Sequence, residues 1–425
     1  MKRGIKFLAF ICMILISAAF SYRMSKEKIR MSLADGYAYG MVYKGQTEAV
    51  AICEDKDNNI YEAAKDRIIK IGTDGIEECI MRDSRMNILS IAYCNERLYF
   101  ISGNFLYELK IINKSMRVLM NNIPSVGSDK ECRLLVSGER LYIAIGSVSD
   151  SGIASKGDTY DVLPADVVLS GVNYGNTGAF VPYGTLTAKK QIIKGGFPGN
   201  ASVIYYDLKS GNKGLYAWGL KNVTGLDSDS KGLIFACEEG MKASGARPVY
   251  GDTDYIYTIE EGVWYGWPDF SGGDPVNSSK FSEKNLEKTK MILEKHPGNN
   301  PPAPFFQSST LSGLRGLAVD KNGDVFPKDS IVFFDKHAKK VFTLSKEGIL
   351  SSYISVKGNV EINDIKISSE GILLLEKNQG SIYKIYKSNG SSAYFSKKLS
   401  IIVLTMLFMF IISIVVRYRI TKEVK

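Results

Sequence analysis

Short runs of alternating apolar and polar residues, separated by polar turns, recur along most of the chain. Such period-two alternation predicts half-buried antiparallel strands, and two runs joined by an Asn-, Asp- or Gly-containing turn predict a β-hairpin. The repeated unit is found at six places, which begin at Ala49, Ser90, Leu134, Gly225, Gly316 and Ile365. Apart from two wide gaps, the units follow each other about 40 to 50 residues apart, the spacing of a propeller blade. The pattern predicts an all-β chain with a six-bladed β-propeller over residues 32–394.

The two wide gaps between units hold long loop insertions. Residues 146–200 lie between the third and fourth units, and residues 240–305 lie between the fourth and fifth. In a radial repeat, insertions of this kind map to loops on one face, and that face carries the ligand site. We therefore expect a small polar ligand to bind at this face.

Both ends of the chain are apolar and flanked by basic residues. Residues 1–22 combine MKRGIK with an apolar run of 14 residues, which predicts an export signal or a signal anchor. Residues 399–416 form 18 uncharged and almost wholly apolar positions, which predicts a transmembrane helix. The basic tail, residues 417–425, belongs in the cytoplasm by the positive-inside rule. These features predict an anchor in the cell membrane and an extracytoplasmic propeller.

The positive charge of the chain is concentrated at its ends. The formal net charge is +9, of which residues 1–30 contribute +6 and residues 397–425 contribute +5, so the residues between them carry −2. A nucleic-acid-binding face needs a basic patch on the folded body. The charge distribution therefore argues against a nucleic-acid partner and for membrane flanks.

Other common chemistries lack their sequence signatures. The chain has no Walker loop, no GxGxxG after a strand, no HExxH and no GxSxG, which argues against nucleotide enzymes, zinc peptidases and α/β-hydrolases. The five cysteines outside the N-terminal run show no metal-ligand spacing. We expect them to lie in strands as small buried apolar side chains, and the alternative is that two of them form a disulfide. The Asp-rich stretches in the units, such as DKDNN and DKNGD, are interpreted as tight turns rather than calcium loops.

All three tryptophans fall within residues 214–275, and the motifs there carry a family resemblance. The motifs are WGLKN from Trp218, RPV from Arg247 and YGWPDFSGG from Tyr265, in that order. Together they resemble the glucose/sorbosone dehydrogenase family, six-bladed propellers whose enzymatic members bind pyrroloquinoline quinone and calcium. The likeness spans roughly residues 161–276 and includes GAFVPYGTLTAKKQIIKG.

The resemblance implies roles for seven residues. Lys221 and Asn222 occupy the place of an Arg-Asn pair that contacts the acidic quinone, although Lys lacks the planar fork of Arg. Arg247 is a third candidate for the quinone, with a structural salt bridge as the alternative. Four residues of the tryptophan-containing loop are candidates for binding the small polar ligand: Trp264, Tyr265, Trp267 and Asp269. The alternative role of the aromatic side chains is to pack this loop against the propeller. No metal ligand is identified.

The histidine that serves these enzymes as general base is missing. The family carries it just before the third hairpin, where this chain reads PSVGSDKECRLLVSGERLYIA. Substitutes are Asp129, Glu131 and His296, whereas a lone surface carboxylate is more often a solvated charge. We therefore expect ligand binding with weak or no catalysis. The alternatives are an active quinone-dependent sugar dehydrogenase and a cell-envelope propeller that binds proteins.

Overall fold

The computed structural model describes residues 29–45, 48–124, 127, 132–282, 287–298 and 300–388. These residues form strands and a single short 3-10 helix, Ser279–Phe281, which confirms the predicted all-β class. No helix in the described part of the chain is long and apolar enough to cross a membrane. The predicted export signal, transmembrane helix and cytoplasmic tail lie outside the described residues, as do Asp129 and Glu131. The propeller bounds 32–394 also stay a prediction at their C-terminal end.

The strands assemble into six main antiparallel sheets within the described ranges. Two N-terminal strands come first: β1 (Arg30–Leu33) and β2 (Tyr37–Lys44). Sheet 1 contains β3 (Ala49–Glu54), β4 (Ile60–Ala64), β5 (Arg67–Ile71) and β6 (Glu77–Arg82). Sheet 2 contains β7 (Ile88–Cys94), β8 (Arg97–Ser102), β9 (Phe105–Lys110) and β10 (Met116–Met120).

Sheets 3 and 4 carry the insertions. Sheet 3 is built from β11 (Cys132–Ser137), β12 (Arg140–Ile145), β15 (Ser202–Asp207) and β16 (Lys213–Trp218), with β13 (Val167–Leu169) and β14 (Ile192–Ile193) in its insertion. Sheet 4 is built from β17 (Val223–Ser228), β18 (Ile234–Glu238), β19 (Tyr255–Ile259) and β23 (Phe306–Gln307). Its insertion holds β20 (Phe270–Ser271), β21 (Asp274–Pro275) and β22 (Leu293–Lys295).

The last two sheets recruit the N-terminal strands. Sheet 5 contains β24 (Leu314–Asp320), β25 (Ser330–Asp335), β26 (Lys340–Leu344) and β27 (Leu350–Lys357), and β1 pairs with β27. Sheet 6 contains β28 (Ile362–Ser368), β29 (Gly371–Glu376) and β30 (Ser381–Lys387), and β2 pairs with β30. The N-terminal strands therefore cover edges that would otherwise be open, and they join the two ends of the described chain.

The first strand of each sheet faces the middle of the molecule, and these six strands close a ring. The ring runs β3, β7, β11, β17, β24 and β28, and β28 packs against β3. This is the arrangement of a six-bladed β-propeller. Each repeated unit of the sequence begins in one of these inner strands. The third position of β17 is crowded by its neighbour β24: a Cβ on Gly225 would lie 2.5 Å from the Leu317 amide nitrogen, so only glycine fits there.

The two insertions pack against each other rather than extending separately. Strands β14, β13 and β22 form one small sheet that contains residues from both insertions. Beneath it lies a separate apolar cluster, which includes Trp218, Trp264 and Trp267 together with Phe180 and Phe281. Because Val223 pairs with Glu238 and Cys132 pairs with Ile145, the insertion of sheet 3 and residues 240–254 of sheet 4 leave from the end of the ring at which β11 and β17 begin. We call this the insertion-bearing end. Residues 260–305 follow β19, which ends opposite Ile234.

The cysteines and the Asp-rich turns have structural roles. Cys53, Cys79, Cys94, Cys132 and Cys237 form no disulfide among the described residues, and three of them are buried, although Cys79 is exposed. Asp320 accepts hydrogen bonds from the backbone N–H groups of residues 323 to 326 at 2.7–2.9 Å. A carboxylate held in this way closes a turn, as the sequence interpretation proposed.

Candidate functional site

The insertion-bearing end of the ring contains a group of buried carboxyl side chains. Sheet 4 supplies Glu238 and Glu239 where β18 ends, and the following loop supplies Asp252 and Asp254. The insertion of sheet 3 adds Asp150, which is only half-buried, with its side chain 22% exposed. We call these five residues the acidic cluster. They lie where the sequence predicted a ligand site, but only their neighbours Lys221, Asn222 and Arg247 were chosen by sequence reasoning.

Lys221 lies inside the acidic cluster and is 1% exposed. Its Nζ forms an ion pair with Asp150 Oδ1 at 2.6 Å and donates to the carbonyl oxygen of Gly240. Its backbone N–H donates to Glu238 Oε1 at 2.6 Å. The ammonium group therefore points into the protein, and its charge is neutralised by the acidic cluster.

The electrostatics of the cluster follow from burial. Burial raises the pKa of Glu238 to about 8, so this carboxyl is largely neutral near pH 7. Burial also raises the pKa of Asp252 and Asp254, although backbone and hydroxyl donors oppose the effect. For Lys221, burial alone would lower the pKa, but the charges of Asp150 and Glu239 outweigh it and raise the pKa. The cluster therefore keeps Lys221 charged.

Asn222 and the remaining acids connect neighbouring sheets. Asn222 Nδ2 donates to Glu239 Oε2 at 2.8 Å, and Ser312 Oγ bonds to Glu239 Oε1. Asp254 accepts the backbone N–H groups of Ser312, Gly313 and Leu314 at 2.6–2.8 Å. These bonds join sheet 4 to the start of β24, so Asn222 is part of a packed polar network.

Arg247 is completely buried and its guanidinium is surrounded by protein acceptors. Nη2 donates to Asp269 Oδ1 at 2.6 Å, and Nη1 donates to the carbonyl oxygens of Ser151 and Pro268 at 2.9 and 2.8 Å. Nε and Nη2 also donate to the carbonyl oxygen of Lys290. Of the two roles that the sequence left open for Arg247, these contacts favour the structural salt bridge.

Asp269 is as buried as Arg247 and receives several donors. Besides Arg247, the backbone N–H groups of Ile292 and Leu293 donate to its carboxylate at 2.9–3.1 Å. His296 Nε2 lies 3.3 Å from Asp269 Oδ2. Since an ionised carboxylate only accepts hydrogen bonds, His296 donates from Nε2.

The aromatic residues of the YGWPDFSGG loop are also buried. Trp267 Nε1 donates to the carbonyl oxygen of Asp150 at 3.0 Å, and Trp264 Nε1 donates to the carbonyl oxygen of Trp267 at 3.2 Å. The hydroxyl of Tyr265 donates to the carbonyl oxygen of Thr258 at 2.6 Å. Each polar group on these rings thus has a protein partner, which favours the packing role that the sequence left as the alternative.

The predicted residues meet at a chain segment rather than at a cavity. Asp150 binds Lys221 and Trp267, while Ser151 exchanges hydrogen bonds with Arg247 through its carbonyl oxygen and its hydroxyl. Sequence reasoning missed this segment, because Asp150 lies in the sequence SDSG within a loop insertion and matches no motif. Its proximity to Lys221 depends on the tertiary fold.

An arginine also crosses the ring axis near this end. Arg133 is the second residue of β11, and its Nη2 donates to the carbonyl oxygen of Asn363 at 3.1 Å. Asn363 belongs to β28, which lies opposite β11 in the ring. Asn363 in turn donates to the carbonyl oxygen of Val50 at 2.6 Å. The axis is therefore bridged by protein at this level.

One cavity adjoins the predicted aromatic loop from outside. It has a volume of about 420 Å³ and is lined by Phe270, His296, Gly298 and Asn300. The His296 ring stacks on Trp264 with centroids 5.6 Å apart and meets Phe270 edge-on at 4.9 Å. Nδ1 of His296 has no hydrogen-bond partner among the described residues. An imidazole oriented by a buried carboxylate and an aromatic wall therefore faces this cavity.

The fold can now be compared with known proteins. No family model matches the chain, and no curated protein sequence is similar to it. Solved structures do match: the holo form of the pyranose dehydrogenase PQQ domain from Coprinopsis cinerea is 12% identical with a TM-score of 0.57, and covers 85% of this chain and 98% of its own. The chain has the fold of the PQQ-dependent sugar dehydrogenases. This confirms the fold that the motifs implied.

Two further structures agree with this sugar dehydrogenase fold. A calcium structure of a Trichoderma reesei enzyme of carbohydrate-active family AA12 has a TM-score of 0.58 at 12% identity, and covers 84% of this chain and 97% of its own. The PQQ-bound aldose sugar dehydrogenase from Streptomyces coelicolor has a TM-score of 0.51 at 14% identity, and covers 83% of this chain and 100% of its own. At these identities the comparison establishes the fold alone.

The residues of this sugar dehydrogenase fold do not fit the quinone and calcium that the resemblance implied. The ammonium of Lys221 and the guanidinium of Arg247 bind protein acceptors, and the acidic cluster would repel an acidic quinone. The Arg315 Nη1 atom is buried without a hydrogen-bond partner in the described part of the chain, but it is a single donor. No group of three or more His, Cys, Asp or Glu among the described residues is arranged to hold a metal ion.

Proposed function

We propose that this chain is a membrane-anchored, extracytoplasmic propeller of the glucose/sorbosone dehydrogenase type that binds a small polar ligand with weak or no catalysis. The proposal rests chiefly on one observation: the buried cations Lys221 and Arg247 at the motif positions are engaged by carboxylates of the protein itself. The missing histidine before the third hairpin supports it further. The apolar and basic segments at the two ends of the chain support the anchor and the orientation.

The ligand occupies the cavity beside His296. There the predicted ligand residues act indirectly, since Asp269 orients the imidazole and Trp264 supports its face. The imidazole Nδ1 accepts a hydrogen bond from a ligand hydroxyl, and the Asn300 side chain offers both a donor and an acceptor. Phe270 supplies an apolar wall for the face of a sugar ring. A neutral aldose combines these features.

Binding is tested by thermal unfolding of the full-length, detergent-solubilised protein in the presence of a panel of aldoses. A ligand that binds only the folded state raises Tm in proportion to ln(1 + [L]/Kd). We expect an aldose to raise Tm in the wild type and in His337→Ala, which removes the other, exposed histidine, but not in His296→Ala. An equal rise in the His296 variant would place the ligand elsewhere.

Turnover is tested separately with aldoses, pyrroloquinoline quinone, calcium and an artificial electron acceptor. Loss of a general base commonly costs about 10²- to 10⁴-fold in rate, so we expect activity near background. Variants Asp129→Asn, Glu131→Gln and His296→Ala examine the substitute bases. Robust turnover that one of them abolishes would establish the active sugar dehydrogenase, the alternative that the similarity to sugar dehydrogenase structures favours.

One observation favours the second alternative, a propeller that binds proteins at the cell envelope. The insertion of sheet 3 exposes several large apolar side chains, namely Tyr183, Leu186, Ile192 and Phe197. Clustered exposed apolar residues mark interaction surfaces. This function would be favoured over ligand binding by two results together. The first is that no aldose shifts Tm, and the second is that the double variant Leu186→Ser, Ile192→Ser lowers the molecular mass of the native complex extracted from cells.

A further inference from the structure

Lys221 places a positive charge where its contacts resemble those of a bound metal ion. Its Nζ lies against a carboxylate oxygen of Asp150 and the carbonyl oxygen of Gly240. The charges of Glu239 and Asp252 also act on it. Carboxylate and backbone carbonyl oxygens are the ligands that calcium prefers in proteins.

The position of this ammonium is fixed from several directions. The Lys221 backbone N–H is bound to Glu238, and its backbone carbonyl oxygen accepts a hydrogen bond from the Ser147 N–H at 2.7 Å. Asp150 is held by a hydrogen bond from the Lys242 N–H to its Oδ2 at 2.7 Å. Because the chain is tied down on both sides, the ammonium cannot turn outward to a ligand without breaking this network.

The charge is also needed where it lies. A buried carboxylate without a cation or several donors is strongly disfavoured. Within the acidic cluster, Glu238 is largely neutral near pH 7, and Asp252 and Asp254 accept several hydrogen bonds, so the charge of Lys221 chiefly balances Asp150 and Glu239. A metal ion bound to the same oxygens would serve the same purpose, but it would have to displace the ammonium.

We propose that Lys221 is a built-in cation, which takes the place of a divalent metal ion at the insertion-bearing end of the ring. This end therefore folds without calcium, and the carboxylates around Lys221 exclude an acidic quinone. The inference concerns the cofactors that the fold implies. It does not depend on whether an aldose binds beside His296.

Two substitutions of Lys221 distinguish the loss of its positive charge from the volume that its side chain occupies. Lys221→Ala removes the charge and leaves room for an ion among the oxygens of Asp150 and Gly240. Lys221→Met removes the same charge but fills the space with an apolar chain of similar length. Lys194→Ala is the control, because Lys194 pairs with Asp166 on the surface, where the two side chains are 78% and 53% exposed.

The measurement is Tm of the full-length protein with EDTA and with millimolar calcium chloride. We expect both Lys221 variants to melt lower than the wild type in EDTA. Calcium at roughly 100 times its Kd should then raise Tm by about 3–4 °C in Lys221→Ala alone. The wild type, Lys221→Met and Lys194→Ala should not respond, and pyrroloquinoline quinone should not shift the wild type.

Two results would overturn the proposal. The first is a calcium-dependent rise of Tm in the wild type as large as that in Lys221→Ala. The second is a Lys221→Ala protein that calcium fails to stabilise. If Lys221→Ala does not fold, the wild type decides: stoichiometric calcium or quinone binding measured by calorimetry would refute a built-in cation, and the absence of both would support it.

Discussion

The buried pair of Arg247 and Asp269 gives the sharpest test of how the insertions are held to the propeller. Both side chains are 0% exposed, and the Nη2–Oδ1 distance is 2.6 Å. Arg247→Met keeps an unbranched apolar chain but removes the charge and all guanidinium donors. Asp269 then stays buried as a carboxylate without its cation, and the carbonyl oxygens of Ser151, Pro268 and Lys290 lose their donor.

The expected cost is large. Removing one partner of a buried ion pair destabilises a protein by about 3–5 kcal/mol. Since about 1.4 kcal/mol corresponds to a factor of ten, the unfolding equilibrium constant should rise by roughly 10²- to 10⁴-fold. An exposed pair contributes only about 0–1 kcal/mol. Lys194→Met, which breaks the exposed pair with Asp166, is therefore the matched control.

The assay is urea unfolding followed by tryptophan fluorescence and by far-ultraviolet circular dichroism. All three tryptophans lie in the cluster beneath the insertions, so fluorescence reports on that layer, whereas dichroism reports on the sheets. We expect the fluorescence midpoint of Arg247→Met to fall clearly below that of Lys194→Met. The double variant with Asp269→Asn should lose less than the sum of the two single losses. A cost for Arg247→Met below about 1 kcal/mol, or additive losses, would refute a structural role.

Three further predictions concern other parts of the molecule. Burial raises the pKa of Glu62 from 4.5 to about 8, so the folded state favours the protonated carboxyl. The stability that this preference contributes is lost as pH rises from 4.5 to about 8. Glu62→Gln cannot ionise and should flatten that part of the plot of Tm against pH. Trp267→Ala should lower the free energy of unfolding by about 3–5 kcal/mol, because the side chain is buried and its Nε1 donates to the carbonyl oxygen of Asp150. A urea midpoint equal to that of the wild type would contradict this prediction. In intact cells, an impermeant thiol reagent should label the exposed position Ser210→Cys in a Cys79→Ser background, which removes the exposed native thiol, while residues 417–425 stay protected from added protease. The reverse pattern would invert the proposed orientation.

The sequence alone was sufficient to predict the ring. Each unit places an alternating strand beside a polar turn, and the inner strands β3, β7, β11, β17, β24 and β28 are where the six units begin. Alternation carries this information because one face of each strand must be buried against the neighbouring sheet. The wide gaps were equally informative, since residues 146–200 and most of residues 240–305 form the layer outside the ring, although β19 within the second gap belongs to sheet 4.

The roles of individual polar residues could not be predicted in the same way. The motif WGLKN locates Lys221 correctly at the start of β17, but it does not reveal which way the ammonium points. That direction depends on Asp150, 71 positions earlier, and on Gly240, which follows β18. Arg247 is a similar case, since its partners come from residues 151, 268, 269 and 290. Contacts between distant loops leave no periodic signal in one sequence.

The buried positions of the cationic side chains explain why we expect ligand binding without turnover in this protein. A dehydrogenase needs its cations and its base to face the reacting atoms, where their charge can stabilise the transition state. Here Lys221 and Arg247 are buried, and their binding energy holds the insertions in place. His296 differs from them, because only one of its ring nitrogens is engaged by Asp269 and its ring lines an open cavity. The site that we propose beside His296 therefore lacks a positioned cation, and we expect an aldose to raise Tm without being oxidised.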